Sequence, residues 1–366
     1  MPMTERERVF AVLAGQKPDR VPWFGDLDYW LPYAKDKGLL LPEYHGDGLF
    51  KLHRDLGVGF YLQGHFPFRT EHDGVTVTTR ADGDRSRTDI ETPVGRLYEE
   101  SVRLPSSYTS AVTKHLIKTE EDLKVISWVT EHTRYLSDYA EAERRTELVG
   151  DNGAVLCYLP KSPFMELVAL KAGIETVAAL AADAPEVLRE TLAVMEEKCD
   201  EAAEITLNSP AEFLMIPENI SSEVVGKNFY ERYMRGYHQK WTSRIRGAGK
   251  LSFVHLDGTM RGLISELSGA GFNVLEALTT APVGDIAVAE LEGWVNEDTV
   301  LWGGLPGMYF TDLITDGEFD RYVIETLEVM RQKPRFVLGV ADQIPPGSRV
   351  ERIKRVRELV DIYGRC

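Results

Sequence analysis

Short apolar runs alternate with longer amphipathic stretches along most of the chain. The apolar runs end in polar residues or glycine, and segments such as 184–207 and 229–247 carry apolar residues at helical spacing. Strands that alternate with helices indicate parallel βαβ units, and eight such strands predict a closed (β/α)8 TIM barrel. The predicted strands are 21–26, 59–63, 155–159, 212–217, 251–255, 273–278, 299–303 and 335–340.

Two segments depart from this alternation. An N-terminal helical extension is predicted from Val9, Phe10, Val12 and Leu13, which recur at helical spacing before Gly15. The segment 70–103 is rich in threonine, valine and charged residues and contains two Asp-Gly turn signals, so it predicts a small antiparallel insertion after the second strand. No linker interrupts the chain, and we expect one domain over residues 1–366.

Composition narrows the class of protein. The chain is 43% hydrophobic and 27% charged, and its formal net charge of -16 disfavours nucleic acid as a partner. No apolar run is long enough to span a bilayer, and no apolar secretory segment is recognisable, so we expect no membrane association. The three cysteines form no CxxC pair, which is typical of a protein in the reducing cytoplasm.

Polar residues follow three of the predicted strands, where the chemistry of a barrel is normally located. His255 and Asp257 are two residues apart, so in an extended chain both side chains point the same way. Asp342 ends the last strand, and Glu218 and Asn219 end the fourth. His255, Asp257 and Asp342 predict a divalent metal site, with zinc as the expected ion. The alternatives are a turn after Asp257 and a helix cap at Asp342.

Further residues fall on the same predicted rim. Trp23, Asp26 and Tyr29 lie at or after the first strand, His65 follows the second, and Tyr158 ends the third. Aromatic walls suit a flat organic substrate or a tetrapyrrole, so these residues predict a substrate-binding surface. The alternative is that the rings pack the N-terminal helix against the barrel.

Several short motifs resemble those of the uroporphyrinogen decarboxylase-like superfamily. Their order and spacing, from about residue 4 to residue 364, carry the resemblance. The matching segments are 4–22, 92–95, 217–222, 255–258, 303–306 and 342–346. The resemblance implies a TIM barrel and a choice between two chemistries.

The true decarboxylases of this superfamily bind the acetate groups of a porphyrinogen through an arginine-rich N-terminal motif. In this sequence the corresponding segment, 21–29, contains no arginine and instead carries Asp26 and Asp28. Carboxylates are recognised by guanidinium groups, so this departure disfavours a polycarboxylate substrate. Tyr158 nevertheless matches a tyrosine of the decarboxylases.

The corrinoid-dependent methyltransferases of the superfamily match better. Their zinc-binding members have a His-x-Cys pair and a later cysteine, and here Asp257 and Asp342 stand in place of the two cysteines. The resemblance implies a cytoplasmic methyltransferase that moves a methyl group from a small O- or N-methylated donor to a separate corrinoid (cobalamin) protein. His255, Asp257 and Asp342 would hold the metal, and a harder site of this kind suits O-demethylation. Glu218 would be the general acid or a fourth ligand.

In this interpretation Asn219 and Tyr158 orient the substrate. Two alternatives stay open: a decarboxylase of a tetrapyrrole or another carboxylated substrate, and a non-catalytic barrel that binds a tetrapyrrole or small ligand. The oligomeric state is also open, with a homodimer among the alternatives.

Overall fold

In the computed structural model, which describes residues 2–61 and 64–366, the chain divides into two compact units. The barrel unit consists of Met1–His65, Ala140–Tyr158 and Pro210–Cys366. The second unit consists of Phe66–Tyr139 and Leu159–Ser209. The organisation of residues 1–366 as one domain stays a prediction.

The barrel unit contains a closed ring of parallel strands. Within the described residues, each strand pairs with its neighbours in chain order, and the last strand also pairs with the first. The third strand is interrupted at Val155, and its two halves pair with the second and fourth strands, which completes the ring. The strands are Trp23–Gly25, Gly59–Tyr61, Gly153–Ala154 with Leu156–Tyr158, Phe213–Ile220, Leu251–Leu256, Val274–Leu278, Val300–Pro306 and Phe336–Ala341.

The predicted TIM barrel is therefore confirmed. Residues 62 and 63, which end the predicted second strand, lie outside the described residues. The helices of the barrel unit are Glu5–Leu13, Trp30–Asp36, Gly48–Leu56, Ala140–Val149, Lys227–Tyr233, Arg235–Gly247, Ile264–Gly269, Asp316–Met330 and Val350–Tyr363. Among the described residues, no helix combines the length and the hydropathy needed to cross a membrane.

The N-terminal helix, Glu5–Leu13, is fixed by local and long-range contacts. Thr4 and Glu7 form a capping box, in which each side chain accepts a hydrogen bond from the other residue's backbone N–H. Val9 and Val12 then pack into the apolar core of the barrel. Since this core would otherwise be open to water at one end, the helix contributes by burying apolar surface there.

The barrel core is a layer of large apolar side chains. The rings of Phe213 and Phe253 are tilted by 31° to each other at a centroid distance of 4.9 Å, and Trp302 contacts both Phe253 and Phe24. Alternate residues of a strand point to opposite faces, so these rings face the lumen while their chain neighbours face the helices. The packed lumen leaves the chemistry to the residues above it.

The second unit contains the predicted antiparallel insertion, which extends beyond Arg103. Its four-stranded sheet is formed by Thr76–Asp82, Arg85–Thr92, Gly95–Leu104 and Thr109–Lys114. A two-stranded sheet pairs Phe68–His72 with Thr133–Ser137. The longer helices of this unit are Glu120–Glu131, Ile174–Asp183 and Pro185–Leu207.

The close approach of two barrel strands at Gly303 makes a stability prediction. A Cβ at this position would lie 2.6 Å from the backbone nitrogen and oxygen of Leu278, and the φ of Gly303 is +143°. We expect Gly303→Ala to lower the free energy of unfolding by at least about 2 kcal/mol. Urea denaturation measures the change.

The matched control is Gly236→Ala. Gly236 lies in a helix, and no atom would be within 4 Å of an added Cβ. Alanine is the better helix former, so this variant should gain about 0.5–1 kcal/mol. Equal stability of the two variants would contradict the packing described for Gly303.

Candidate active site at the barrel mouth

Strand alternation brings a set of polar side chains to one end of the barrel. Four residues of the apolar lumen layer are Phe24, Leu156, Phe253 and Val274. The residues two positions further along the same strands are Asp26, Tyr158, His255 and Glu276. Because the strands are parallel and a period of two returns to the same face, these polar residues form the next layer toward the C-terminal mouth.

The centre of this layer is a carboxylate–imidazole–carboxylate chain. His255 and Glu276 are paired in register on adjacent strands. His255 Nδ1 lies 2.6 Å from Glu276 Oε2, and His255 Nε2 lies 3.6 Å from Asp342 Oδ1. The Glu276 side chain is 2% exposed, whereas that of Asp342 is 58% exposed. Glu276 therefore contacts the imidazole on its buried side, and Nε2 lies on the more exposed side, near Asp342.

The environment of His255 favours its protonated form. Burial alone lowers the pKa of His255, but the charge and hydrogen bond of Glu276, together with Asp342 and Asp257, outweigh burial and raise the pKa above its ordinary value. Burial also raises the pKa of Glu276, although the charge of His255 opposes that shift. Both shifts act to retain a proton on the pair.

Asp26 connects the first strand exit to the last. Its Oδ1 accepts a hydrogen bond from the backbone of Asp28 at 2.7 Å, and its Oδ2 accepts one from Gln343 Nε2 at 3.3 Å. The backbone N–H of Ile344 donates to the Asp26 carbonyl at 2.9 Å. These contacts bind the segment after Asp342 to the first strand exit and so fix the position of Asp342.

Acidic side chains cluster at the mouth. Burial raises the pKa of Asp26 well above its usual range, and the charges of Asp28, Asp342 and Glu276 raise it further. Burial, followed by the charges of Asp26 and Glu276, also raises the pKa of Tyr158, so its phenol stays protonated. A site of this kind favours a neutral or cationic ligand over an anion.

Strained backbone marks three of the strand exits. Among the described residues, four non-glycine residues have positive φ, and three of them are Asn219, Ala277 and Asp342, at +52°, +61° and +67°. Asn219 and Ala277 are next-to-last in their strands, and Asp342 directly follows the last strand. Left-handed conformations of this kind cost about 1–3 kcal/mol. Such strain is common at functional sites, which supports the mouth as the site of chemistry.

The predicted metal ligands are only partly brought together. His255 and Asp342 approach each other, whereas Asp257 is exposed. Among the residues that the structure describes, no group of three or more His, Cys, Asp or Glu side chains is arranged to hold a metal ion. The donor set is nonetheless of a suitable kind, because a ligating histidine usually donates its second ring N–H to a carboxylate, as His255 does to Glu276. A metal centre stays a prediction.

The structure places Glu218 away from solvent. Its Oε1 lies 2.7 Å from His238 Nε2, both side chains are fully buried, and His238 Nδ1 lies 3.2 Å from the Tyr230 hydroxyl. Asn219, in contrast, is exposed at the strand end. The catalytic roles predicted for Glu218 and Asn219 stay predictions, and their surroundings differ sharply.

The predicted substrate-binding residues have different surroundings as well. Trp23 is buried, and its ring lies parallel to that of Phe310 at a centroid distance of 6.3 Å. Tyr29 is half-buried near the first strand exit. The His65 carbonyl accepts a hydrogen bond from the backbone of Tyr158, so these two residues are close together. Their roles in binding substrate stay predictions.

Glu276 was missed by the sequence analysis. It lies in the sixth barrel strand, which is otherwise apolar and fully buried. A single acid in such a strand is itself a signal, because a buried carboxylate requires a partner. His255 occupies the equivalent position one strand earlier.

A family model described as uroporphyrinogen decarboxylase (URO-D) matches residues 99–363, which is more than half of the chain. The chain belongs to the URO-D family. The match includes His255, Glu276 and Asp342. No curated protein matches the sequence.

Solved structures resemble this URO-D family member in fold. The match to a methyltransferase from Methanosarcina mazei covers 98% of this chain and 98% of the methyltransferase chain, with a TM-score of 0.60 and 14% sequence identity. At this identity the likeness is one of fold alone. An L-Ala-D/L-Glu epimerase matches 82% of this chain over 83% of its own, with 11% identity and a TM-score of 0.27, too low to support an argument.

The buried pair makes a prediction about pH. Since Glu276 raises the pKa of His255, Glu276→Gln should lower that pKa toward or below the ordinary value of about 6.5. NMR titration of the His255 ring, with a chelator present, measures the shift. An unchanged midpoint would contradict the pairing.

The sign for stability follows from linkage. With the folded-state pKa raised, the stabilisation by protonated His255 is complete below about pH 6.5 and is lost as pH rises through the folded-state pKa. Glu276→Gln should therefore flatten the fall in unfolding free energy across this range.

Proposed function

We propose that this URO-D family member transfers a methyl group from a small O- or N-methylated donor to a corrinoid carried on a separate protein. The observation that carries the proposal is the Glu276–His255–Asp342 chain at the barrel mouth. It offers a positioned proton donor in surroundings that are unfavourable for an anionic substrate. Membership of the family and the fold likeness to a methyltransferase support it.

The role of His255 follows from the bonds that change. The bond between the methyl carbon and the donor's oxygen or nitrogen breaks, and the electron pair stays on that heteroatom. The acceptor cobalt supplies the electron pair for the new bond to carbon. When the donor is neutral, the heteroatom then needs a proton, which His255 Nε2–H would deliver, and Glu276 would stabilise the imidazolium before the transfer.

The neighbouring residues would bind and orient the donor. Tyr158, whose phenol remains protonated, can donate a hydrogen bond to the donor heteroatom. Asp26 and Asp28 would disfavour an anionic competitor, since another negative charge would add to the interactions that already raise the pKa of Asp26. The open side of the mouth, where Asp342 is exposed, would admit the acceptor.

The donor set also suits a divalent ion. His255 and Asp342, with Glu276 behind the imidazole, are the residues that would hold it, and Asp257 would have to turn inward to join them. When bound at Nε2, such an ion would take the place of the proton on that nitrogen and would supply Lewis acidity that stabilises charge on a leaving oxygen or nitrogen. Zinc is the first ion to test.

The transfer reaction provides the first test. The protein would be incubated with a reduced corrinoid protein and a panel of methyl ethers and methylamines, and methylation of the acceptor followed by its absorbance. We expect His255→Gln to reduce kcat by about 10²-fold or more, the contribution typical of a general acid.

The matched control is His45→Gln, because His45 is an exposed histidine of the same unit. Its activity should equal that of the wild type. Absence of acceptor methylation with every donor, or full activity of folded His255→Gln, would contradict the proposal.

Metal content gives a separate prediction. Mass spectrometry of the purified protein should find a nearly stoichiometric divalent ion that is lost in both His255→Ala and Asp342→Ala. Asp298→Ala is the control, since its side chain is 97% exposed. Folded wild-type protein that stays metal-free in excess zinc would contradict a metal centre and leave His255 as a proton donor.

The family description favours one second candidate, decarboxylation of a tetrapyrrole or another carboxylated substrate. The clustered acids of the mouth oppose it, because a substrate with several carboxylates would add to their mutual repulsion. Release of carbon dioxide from uroporphyrinogen without added metal would favour decarboxylation over methyl transfer.

A further inference from the structure

The second unit contains a cavity that the proposed chemistry does not use. Its volume is about 320 Å³, within the range of small-molecule sites. One wall is aromatic: the rings of Phe66 and Phe68 are 5.3 Å apart, and Phe68 meets Tyr135 edge-on at 5.2 Å. Phe66 and Leu170 are exposed at the cavity, which leaves apolar surface open to a ligand.

Positively charged side chains also line the cavity. Lys161, Lys171 and Lys198 line the cavity, and Glu166 is the one acid among its described lining residues. Lys161 is only 8% exposed, which is unusual for lysine. Lys171 pairs with Glu166 at 3.0 Å, and Lys198 pairs with Glu201, which lies outside the lining. Three lysines against these two glutamates leave an excess of one positive charge at the cavity, in a chain whose net charge is -16.

We propose that this cavity binds a small aromatic carboxylate. The ligand ring would lie against Phe68 and Tyr135, where offset or edge-on contacts between rings are favourable. Its carboxylate would accept charge-assisted hydrogen bonds from Lys161 and Lys198. Two features together define this class: rings alone would accept any apolar molecule, and lysines alone would accept any anion.

Buried apolar side chains also line the cavity and are suited to a ligand with apolar surface. Ile126 and Val129 of the helix Glu120–Glu131 line the cavity and are buried, as is Met195 of the helix Pro185–Leu207. Methionine adapts its shape and contacts aromatic rings favourably. A highly charged ligand without apolar surface would gain nothing from contact with these apolar side chains.

Isothermal titration calorimetry on the full chain tests the proposal, with 1-naphthoate as the probe and the uncharged 1-naphthamide for comparison. We expect one molecule of naphthoate per chain, bound at least about tenfold more tightly than the amide. Lys198→Met should weaken naphthoate binding about five- to tenfold, and Lys198→Arg, which keeps the charge, should restore it.

Arg189→Met is the matched control. Arg189 and Lys198 lie on the same helix, and each forms an ion pair with a glutamate three residues away, but only Lys198 lines the cavity. Arg189→Met and His255→Gln should both bind naphthoate like the wild type. Equal affinity for naphthoate and naphthamide, unchanged binding in Lys198→Met, loss of binding in His255→Gln, or no binding at all would each overturn the proposal.

Discussion

The ion pair between Glu276 and His255 is the interaction on which the candidate site depends. A carboxylate that is 2% exposed costs several kcal/mol to bury unless a partner satisfies it. His255 provides that partner from the adjacent strand, at a position fixed by strand register. With Nδ1 bonded to Glu276, Nε2 lies on the side of Asp342, 3.6 Å from its Oδ1. Orientation and basicity of the imidazole thus have one cause.

Along the strands that carry this pair, an apolar residue that packs in the barrel core is followed two positions later by a polar residue at the mouth. Phe253 belongs to the apolar layer, and His255, two residues later, belongs to the polar layer above it. The same step leads from Val274 to Glu276. Because the lower layer is densely packed with rings, the strands that carry the polar layer are held rigidly. Ala277 and Asp342, near the C-terminal ends of the sixth and last strands, adopt the strained left-handed backbone conformation.

Much of this arrangement could be predicted from local sequence patterns. Alternation and parallel strands were enough to place Asp26, Tyr158, His255 and Asp342 on one rim, since these rules concern single strands. Glu276 was not predicted because its partner, His255, lies on the adjacent strand, although a single acid within an apolar strand is a signal that a buried partner is required. Glu276 lies in an apolar run and resembles an exception within the core.

Glu218, unlike Glu276, was predicted from the sequence to be a site residue, and its role stays a prediction. A polar residue after an apolar run was a reasonable sign of a strand exit, but the pairing register shifts between Ile216 and Ile220. An irregularity of this kind changes which face a side chain points to. Glu218 consequently pairs with His238 of the helix Arg235–Gly247, an outcome that depends on backbone geometry rather than on residue type.

The charge of the mouth bears on how one fold supports more than one reaction. Two like charges about 4 Å apart repel by roughly 4 kcal/mol at the effective dielectric constant of a protein surface. Burial is the first cause that raises the pKa values of Asp26, Glu276 and Asp342, and the charges of neighbouring acids raise each of them further. A polycarboxylate entering this mouth would meet the same repulsion, whereas a neutral or cationic methyl donor would not. The barrel supplies the position of the site, and under the proposed function the acids at its rim would select against anionic substrates.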